Sequence, residues 1–255
     1  MDSASSEHST ENSSPENLQL AHVVGELGGL LQGCGKIDWT APRSRARDLL
    51  AEYARKSPQS DRLVALLGGE PYFVGGDEHH VIRVPSEAGR HYKFTHGDNF
   101  GCSSYFCPVD VDLAGHFHGQ TNQDPYFYLF RWMWLNCLGG YQTRFEGFIP
   151  PLKPNWLPRI CVSQPALPGV NPTDEQIRRA LGRYGFYEVT NNAYFDPHTG
   201  LLLTDAAPRN VRIVDGIPVP FDAIAQRAEG RCKEWAYARV KELESNPATR
   251  LVLPV

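Results

Sequence analysis

The stretch Leu201 to Asp222, LLLTDAAPRNVRIVDGIPVPFD, limits what this chain can fold into more than any other segment. Three leucines lead to Thr204-Asp205, a short loop carries Pro208, and Asn210 opens a second apolar run. Asp215-Gly216 is turn chemistry, and Val219-Pro220-Phe221 brings the chain back to Asp222. A hairpin folded this way sets Asn210 and Asp222 at the same end. Two hard oxygen donors then lie together, the kind Mg²⁺ takes when it also holds phosphate. Asp205, just upstream, suits the acceptance of a proton from an attacking hydroxyl, or its orientation. The plainer reading makes Asp205 and Asn210 turn residues and Asp222 a helix cap before Ala223.

That division of labour is the one phosphoryl transfer needs, where most of the work is positioning and charge neutralisation. A lysine reaching the phosphates from an upstream strand would complete it. Lys93 sits mid-strand between Tyr92 and Phe94. An ammonium in an apolar strand needs a partner, and a bound phosphate is one.

Along the chain, Met1 to Glu16 is acidic and Ser-rich and is expected to be disordered. Leu18 to Leu31 and two pieces within Pro42 to Leu67 carry helical periodicity. Tyr72 to Thr95 reads as a β-meander, with Gly75-Gly76 and Glu87 to Arg90 as its turns. Tyr126 to Leu138, YFYLFRWMWLNCL, is apolar nearly all round and predicts a buried helix. Thr143 to Phe148 and Arg159 to Val162 predict strands. Thr173 caps a helix whose first turn holds Asp174 and Glu175. Strands follow at 193–195, 201–203, 211–214 and 219–221, then a last helix over Ala223 to Glu244. Strands grouped before helices predict an α+β fold. The expected organisation is a tail at 1–16, helices at 17–70, a strand-rich part at 71–162 and a mostly helical part at 163–255.

A net charge of −4 gives no argument for nucleic acid or an anionic membrane as a main partner. No apolar run reaches the length of a membrane span. The N-terminus lacks the basic start and apolar stretch of a signal peptide, so a cytoplasmic protein with reduced cysteines is expected.

With these stretches in order, the chain resembles the protein-kinase-like domains of the serine/threonine/tyrosine type found in bacterial and phage polyvalent proteins. The stretches that carry the resemblance include Gly76-Asp-Glu-His79, Gly89-Arg-His-Tyr-Lys-Phe-Thr95 and Tyr128-Leu-Phe-Arg131. Phe145-Glu-Gly-Phe148, Ser163-Gln-Pro165, Asp205-Ala-Ala-Pro-Arg-Asn-Val211 and Pro220-Phe-Asp222 follow. The resemblance implies two lobes with ATP between them and Mg²⁺ as cofactor. It makes Lys93 the phosphate-binding lysine, Asp205 the catalytic base, and Asn210 and Asp222 the metal ligands. Gly75 and Gly76 become the glycine loop, and Cys161 to Ala166 the lobe connector, so that Gln164 and Ala166 bind the nucleotide through their backbone. The phosphate acceptor would be a protein hydroxyl or a small molecule.

The departures bear on activity. Leu203-Thr204 stands where protein kinases have His-Arg, and Ala223-Ile224 follows Asp222 in place of Phe-Gly. The helix at 126–138 holds no Glu for Lys93, with Glu78 or Glu146 as substitutes. Few residues follow Asp222. These points favour a second reading, a nucleotide-binding or scaffold module without efficient catalysis.

A third reading takes Cys102, Cys107, His116 and His118 as zinc ligands in an interaction protein, on a spacing that fits no familiar finger. Phe127, Phe130, Trp132 and Trp134 read as core, and Arg178, Arg179 and Arg183 as a solvated face. Arg209 inside the loop contacts a phosphate or pairs with an acid. His79-His80 reads as a strand start with a turn-side hydrogen bond.

Overall fold

A computed structural model describes residues 14–39, 41, 44–68, 73–74, 78–84, 89–108, 115–121, 124–138, 142–168 and 170–246. Gly75 and Gly76, the expected glycine loop, lie outside the described residues, as does most of the expected tail.

Helix α1 spans Pro15–Leu30. It begins earlier than expected because Ser14 accepts from Asn17 N and Pro15 occupies the first turn. Glu16, placed in the tail from the sequence, is instead a buried helical residue that accepts from Arg144 Nε at 3.2 Å. Helices α2 (Arg45–Lys56) and α3 (Ser60–Leu67) follow, separated at Ser57-Pro58 as the sequence suggests.

Strands β1 (Phe73–Val74), β2 (His79–Arg83) and β3 (Arg90–Thr95) form the meander. A ribbon of β4 (Cys102–Pro108) and β5 (Gly115–Thr121) comes next. Then come α4 (Pro125–Cys137), β6 (Arg144–Ile149) and β7 (Arg159–Pro165). The meander and the last pair join in one antiparallel sheet of order β1-β2-β3-β7-β6. Tyr92 and Phe94 face α3 with Leu63, Ile82, Ile149 and Cys161. Lys93 points the other way by strand parity, with Val162 directly opposite. That face packs on α4, where Tyr128, Leu129, Trp132 and Leu135 are buried.

The sequence made residues 163–255 mostly helical, and this is corrected. Among the described residues, two helices, α5 (Asp174–Gly182) and α6 (Gly230–Ser245), frame six strands. These are β8 (Tyr187–Thr190), β9 (Ala193–Asp196), β10 (Leu201–Thr204), β11 (Val211–Val214), β12 (Ile217–Pro220) and β13 (Ile224–Arg227). The order β13-β10-β9-β8 makes a four-stranded sheet, and β11-β12 is a separate hairpin. The last helix starts at Gly230 rather than Ala223 because Ile224 to Arg227 pairs with Leu201 to Thr204. Four more ladder positions and a buried Ile224-Ala225 outweigh the local helical pattern. The chain is therefore α+β, but strand-rich at both ends of the site.

One core cluster runs from α1, α2 and α4 through Phe148, Ile160 and Val162 to Leu203, Val211, Ala223 and Ala225. It joins the five-stranded sheet to the hairpin region. Among the described residues no helix is long and apolar enough to cross a membrane. Five described cysteines, 34, 102, 137, 161 and 232, form no disulfide.

Candidate functional site

The β11–β12 hairpin does what its sequence requires. Asp215 and Gly216 take φ values of 51° and 81° at its tip, the left-handed pair a tight turn needs. Val211 pairs with Pro220 at its mouth, and Asp222 N donates to Asn210 O at 3.2 Å. Asn210 and Asp222 thus stand side by side. Asp205 leaves β10 with φ 52°, a conformation Asp tolerates better than branched residues. The Asn210 side-chain nitrogen donates to Asp205 O and Oδ2, both at 2.8 Å. Both partners are acceptors, so the amide orientation is fixed, and Asn210 Oδ1 remains as the atom to face a cation.

Lys93 reaches this group from the sheet. Its Nζ lies 2.6 Å from Asp222 Oδ1 and 3.3 Å from Phe221 O. It also lies 5.2 Å from the Trp132 ring centroid and 5.7 Å from that of Phe221. Burial would raise the Asp222 carboxyl, but Lys93, with Arg131, outweighs it and holds the pKa at about 2. Asp205 goes the other way. Its loss of solvent raises it above the ordinary aspartate value, against the pull of Arg209 and Asn210.

The residue sequence reasoning missed is Arg131, on the buried face of α4. Its Nη1 donates to both Glu78 oxygens, at 3.0 and 2.9 Å. Its Nε donates to Ala223 O at 2.9 Å and its Nη2 to Asp222 O at 2.8 Å. Burial works against its charge, yet Glu78 and Asp222 raise its pKa. One guanidinium therefore ties the residue before β2 to the backbone carbonyls of Asp222 and Ala223. The available signal was a cation in an otherwise apolar helix, which must find an acid. Lys93 was singled out on that logic and Arg131 was not.

The expected substitutes for a helix Glu do not touch Lys93. Glu78 is taken by Arg131, and Glu146 accepts from Ser163 and lies 3.6 Å from Arg62. Lys93's acid is Asp222 itself. Arg209 pairs with an acid, donating to Asp205 Oδ1 at 2.6 Å across an exposed edge. His79 is fully buried, 2.9 Å from the Tyr128 hydroxyl, and burial keeps it neutral. Arg178 and Arg179 pair with Glu175, and Arg178 also with Glu188, as surface contacts.

The connector expectation narrows. Cys161 to Ser163 lie between β3 and β6 with both backbone edges in ladders. Ala166 N donates to Gly89 O, so its amide is committed. Gln164 is different: its side chain is fully buried on the Lys93 face, and Nε2 donates to Thr143 Oγ1 and Phe221 O, both at 3.0 Å. A carbonyl only accepts, so the amide cannot be turned around, and Oε1 is left buried without a partner.

Register places Cys107 opposite His116 and Tyr105 opposite His118. The side chains of Cys107, His116 and His118, three of the four expected zinc ligands, lie outside the described residues. Glu78, His79 and Asp222 bring ligand atoms within 4.8 Å of one another. Arg131 and Lys93 already hold those two carboxylates, so the trio is a compensated charge cluster. No protein-family model, curated protein or solved structure matches the chain.

Proposed function

We propose that Lys93, Asp222, Asn210 and Asp205 are the phosphate and magnesium end of a nucleotide site, and that the protein is an ATP- and Mg²⁺-dependent phosphotransferase of protein-kinase-like build. The observation that carries this is the 2.6 Å contact between Lys93, on a central sheet strand, and Asp222, at the mouth of the hairpin. A strand lysine, a loop aspartate, an asparagine five residues on and a second aspartate are the parts used by protein kinases.

The side chains present suit the implied groups. Asn210 Oδ1 and the Asp222 carboxylate are hard oxygen donors of the type Mg²⁺ takes beside phosphate. The orphaned Oε1 of Gln164 suits an N–H donor such as the adenine amino group. Bound Mg²⁺ would supply charge neutralisation on the phosphates. In this reading Lys93 leaves Asp222 to hold phosphate oxygens. Asp205, with its raised pKa, takes or orients the proton of the acceptor hydroxyl. The acceptor is a protein hydroxyl or a small molecule.

The test is transfer of label from γ-labelled ATP to protein or small-molecule hydroxyls. Asp205→Ala is expected to lower it by about 10²–10⁴-fold, and transfer at the wild-type rate in that variant sinks the assignment. A second reading, nucleotide binding without efficient turnover, is favoured by the Arg209 and Asn210 bonds that already occupy both Asp205 oxygens. It predicts a rise in melting temperature with ATP and Mg²⁺ but no label transfer.

A further inference from the structure

A second cavity lies away from these residues, between α2 and the β6–β7 connection. Its volume is about 440 Å³, within the range of small-ligand sites. Arg47, Asp48 and Arg55 line one wall, Lys153, Asn155 and Trp156 the other. Arg159, which packs on the lining residue Trp156, is five residues from Gln164, about 17 Å of extended strand. The cavity is therefore separate from the Lys93–Asp222 contact.

Three cations face one carboxylate here. Arg47 donates to the carbonyls of Trp39, Ala41 and Asn155, none of them charged. Burial lowers its pKa and the adjacent Asp48 only partly offsets this. Lys153 Nζ lies 4.4 Å and the Arg159 guanidinium 5.0 Å from the Trp156 ring centroid. Arg159 is buried against that ring and is not one of the residues lining the cavity. The wall is also fixed in place. Trp156 lies where a Cβ on Gly97 would stand, at 2.2 Å, and Leu157 N donates to Gly97 O at 2.6 Å. Asn155 holds φ 66° with its carbonyl on Arg47. An open cavity lined by three cations and one carboxylate suits an anion.

We propose that this cavity binds a small phosphorylated polyol, with Arg55 and Lys153 on the phosphate and Asp48 accepting from hydroxyls. Cations already occupy the Trp156 ring, so charge and hydroxyl contacts recognise the ligand rather than aromatic stacking. The site does not depend on the nucleotide reading.

The test is calorimetric titration of the full chain with ribose 5-phosphate, inorganic phosphate and ribose. The expected result is saturable one-site binding of ribose 5-phosphate, roughly tenfold or more tighter than phosphate, with ribose silent. Reversing both exposed cations, Arg55→Glu with Lys153→Glu, is expected to weaken binding roughly 100-fold. Lys153→Met alone, checked for an unchanged melting temperature, is expected to weaken it about tenfold. Asp48→Asn should weaken ribose 5-phosphate and spare phosphate. Absence of saturable binding, equal affinity for phosphate (an adventitious ion only), or full binding in the cation variants overturns the proposal. An ATP-induced melting shift that is unchanged in the double variant keeps this outcome apart from that of the nucleotide site.

Discussion

Arg131 grips Glu78 with two hydrogen bonds from one nitrogen while its other two nitrogens hold the carbonyls of Asp222 and Ala223. A helix, the start of a strand and the chain around the second aspartate thus meet on one fully buried guanidinium. Replacing Arg131 with Met strands a mostly buried carboxylate and two carbonyls. The expected loss is about 3–5 kcal/mol, read from the urea midpoint. Arg131→Lys should recover little, since an ammonium cannot make the same planar set of bonds. Adding Glu78→Gln to Arg131→Met should restore part of the loss.

Lys93→Met tests the electrostatic half. With Lys93 present, the Asp222 carboxyl is held at about 2, below an unfolded value of about 3.9. A depressed carboxylate contributes stability above its unfolded pKa and loses it as pH falls through the folded one. The contribution is on the order of 2 kcal/mol and disappears between about pH 4 and pH 2. Acid unfolding of Lys93→Met should show a shallower loss across that window, while the wild-type chain falls steeply.

Much of this was legible before folding, and the reasons divide along sequence distance. Thr173 and Gln176 form a full capping box, and Asp215-Gly216 turns the hairpin, because both signals act within a few residues. The mouth of that hairpin followed from strand length alone. Strand β13 was read as helix because its pairing partners in β10 lie twenty or more residues upstream and its own residues pattern weakly. Arg131 was passed over because Glu78 and Asp222 are 53 and 91 residues away. A charge in an apolar helix says that a partner exists, not where the chain will bring it.

Asp205 is predicted to set an acidic limb on any transfer activity. Loss of solvent raises its pKa, while Arg209 opposes the rise. A base must be ionised, so activity should climb with pH through a midpoint above that of an ordinary aspartate. Arg209→Ala should move that midpoint higher. Asp205→Ala should lower kcat by about 10²–10⁴.

Gly97→Ala should disturb the basic cavity through packing alone. The new methyl would sit 2.2 Å from the Trp156 ring, so the ring or the strand end must shift. The expected cost is about 1–3 kcal/mol in thermal or urea unfolding.

Thr204 and Ile224 are directly paired across β10 and β13, so everything from Asp205 to Ala223 leaves and rejoins the sheet at one point. The acidic half of the site is thus a self-closed excursion whose internal contacts span few residues. Its closure entropy is low, so it can form as soon as the two strands meet. The lysine half arrives from 129 residues away. The assembly order this implies is a finished acidic loop waiting for its cation. An exchanged loop of the same length would alter the chemistry without disturbing the sheet that carries Lys93.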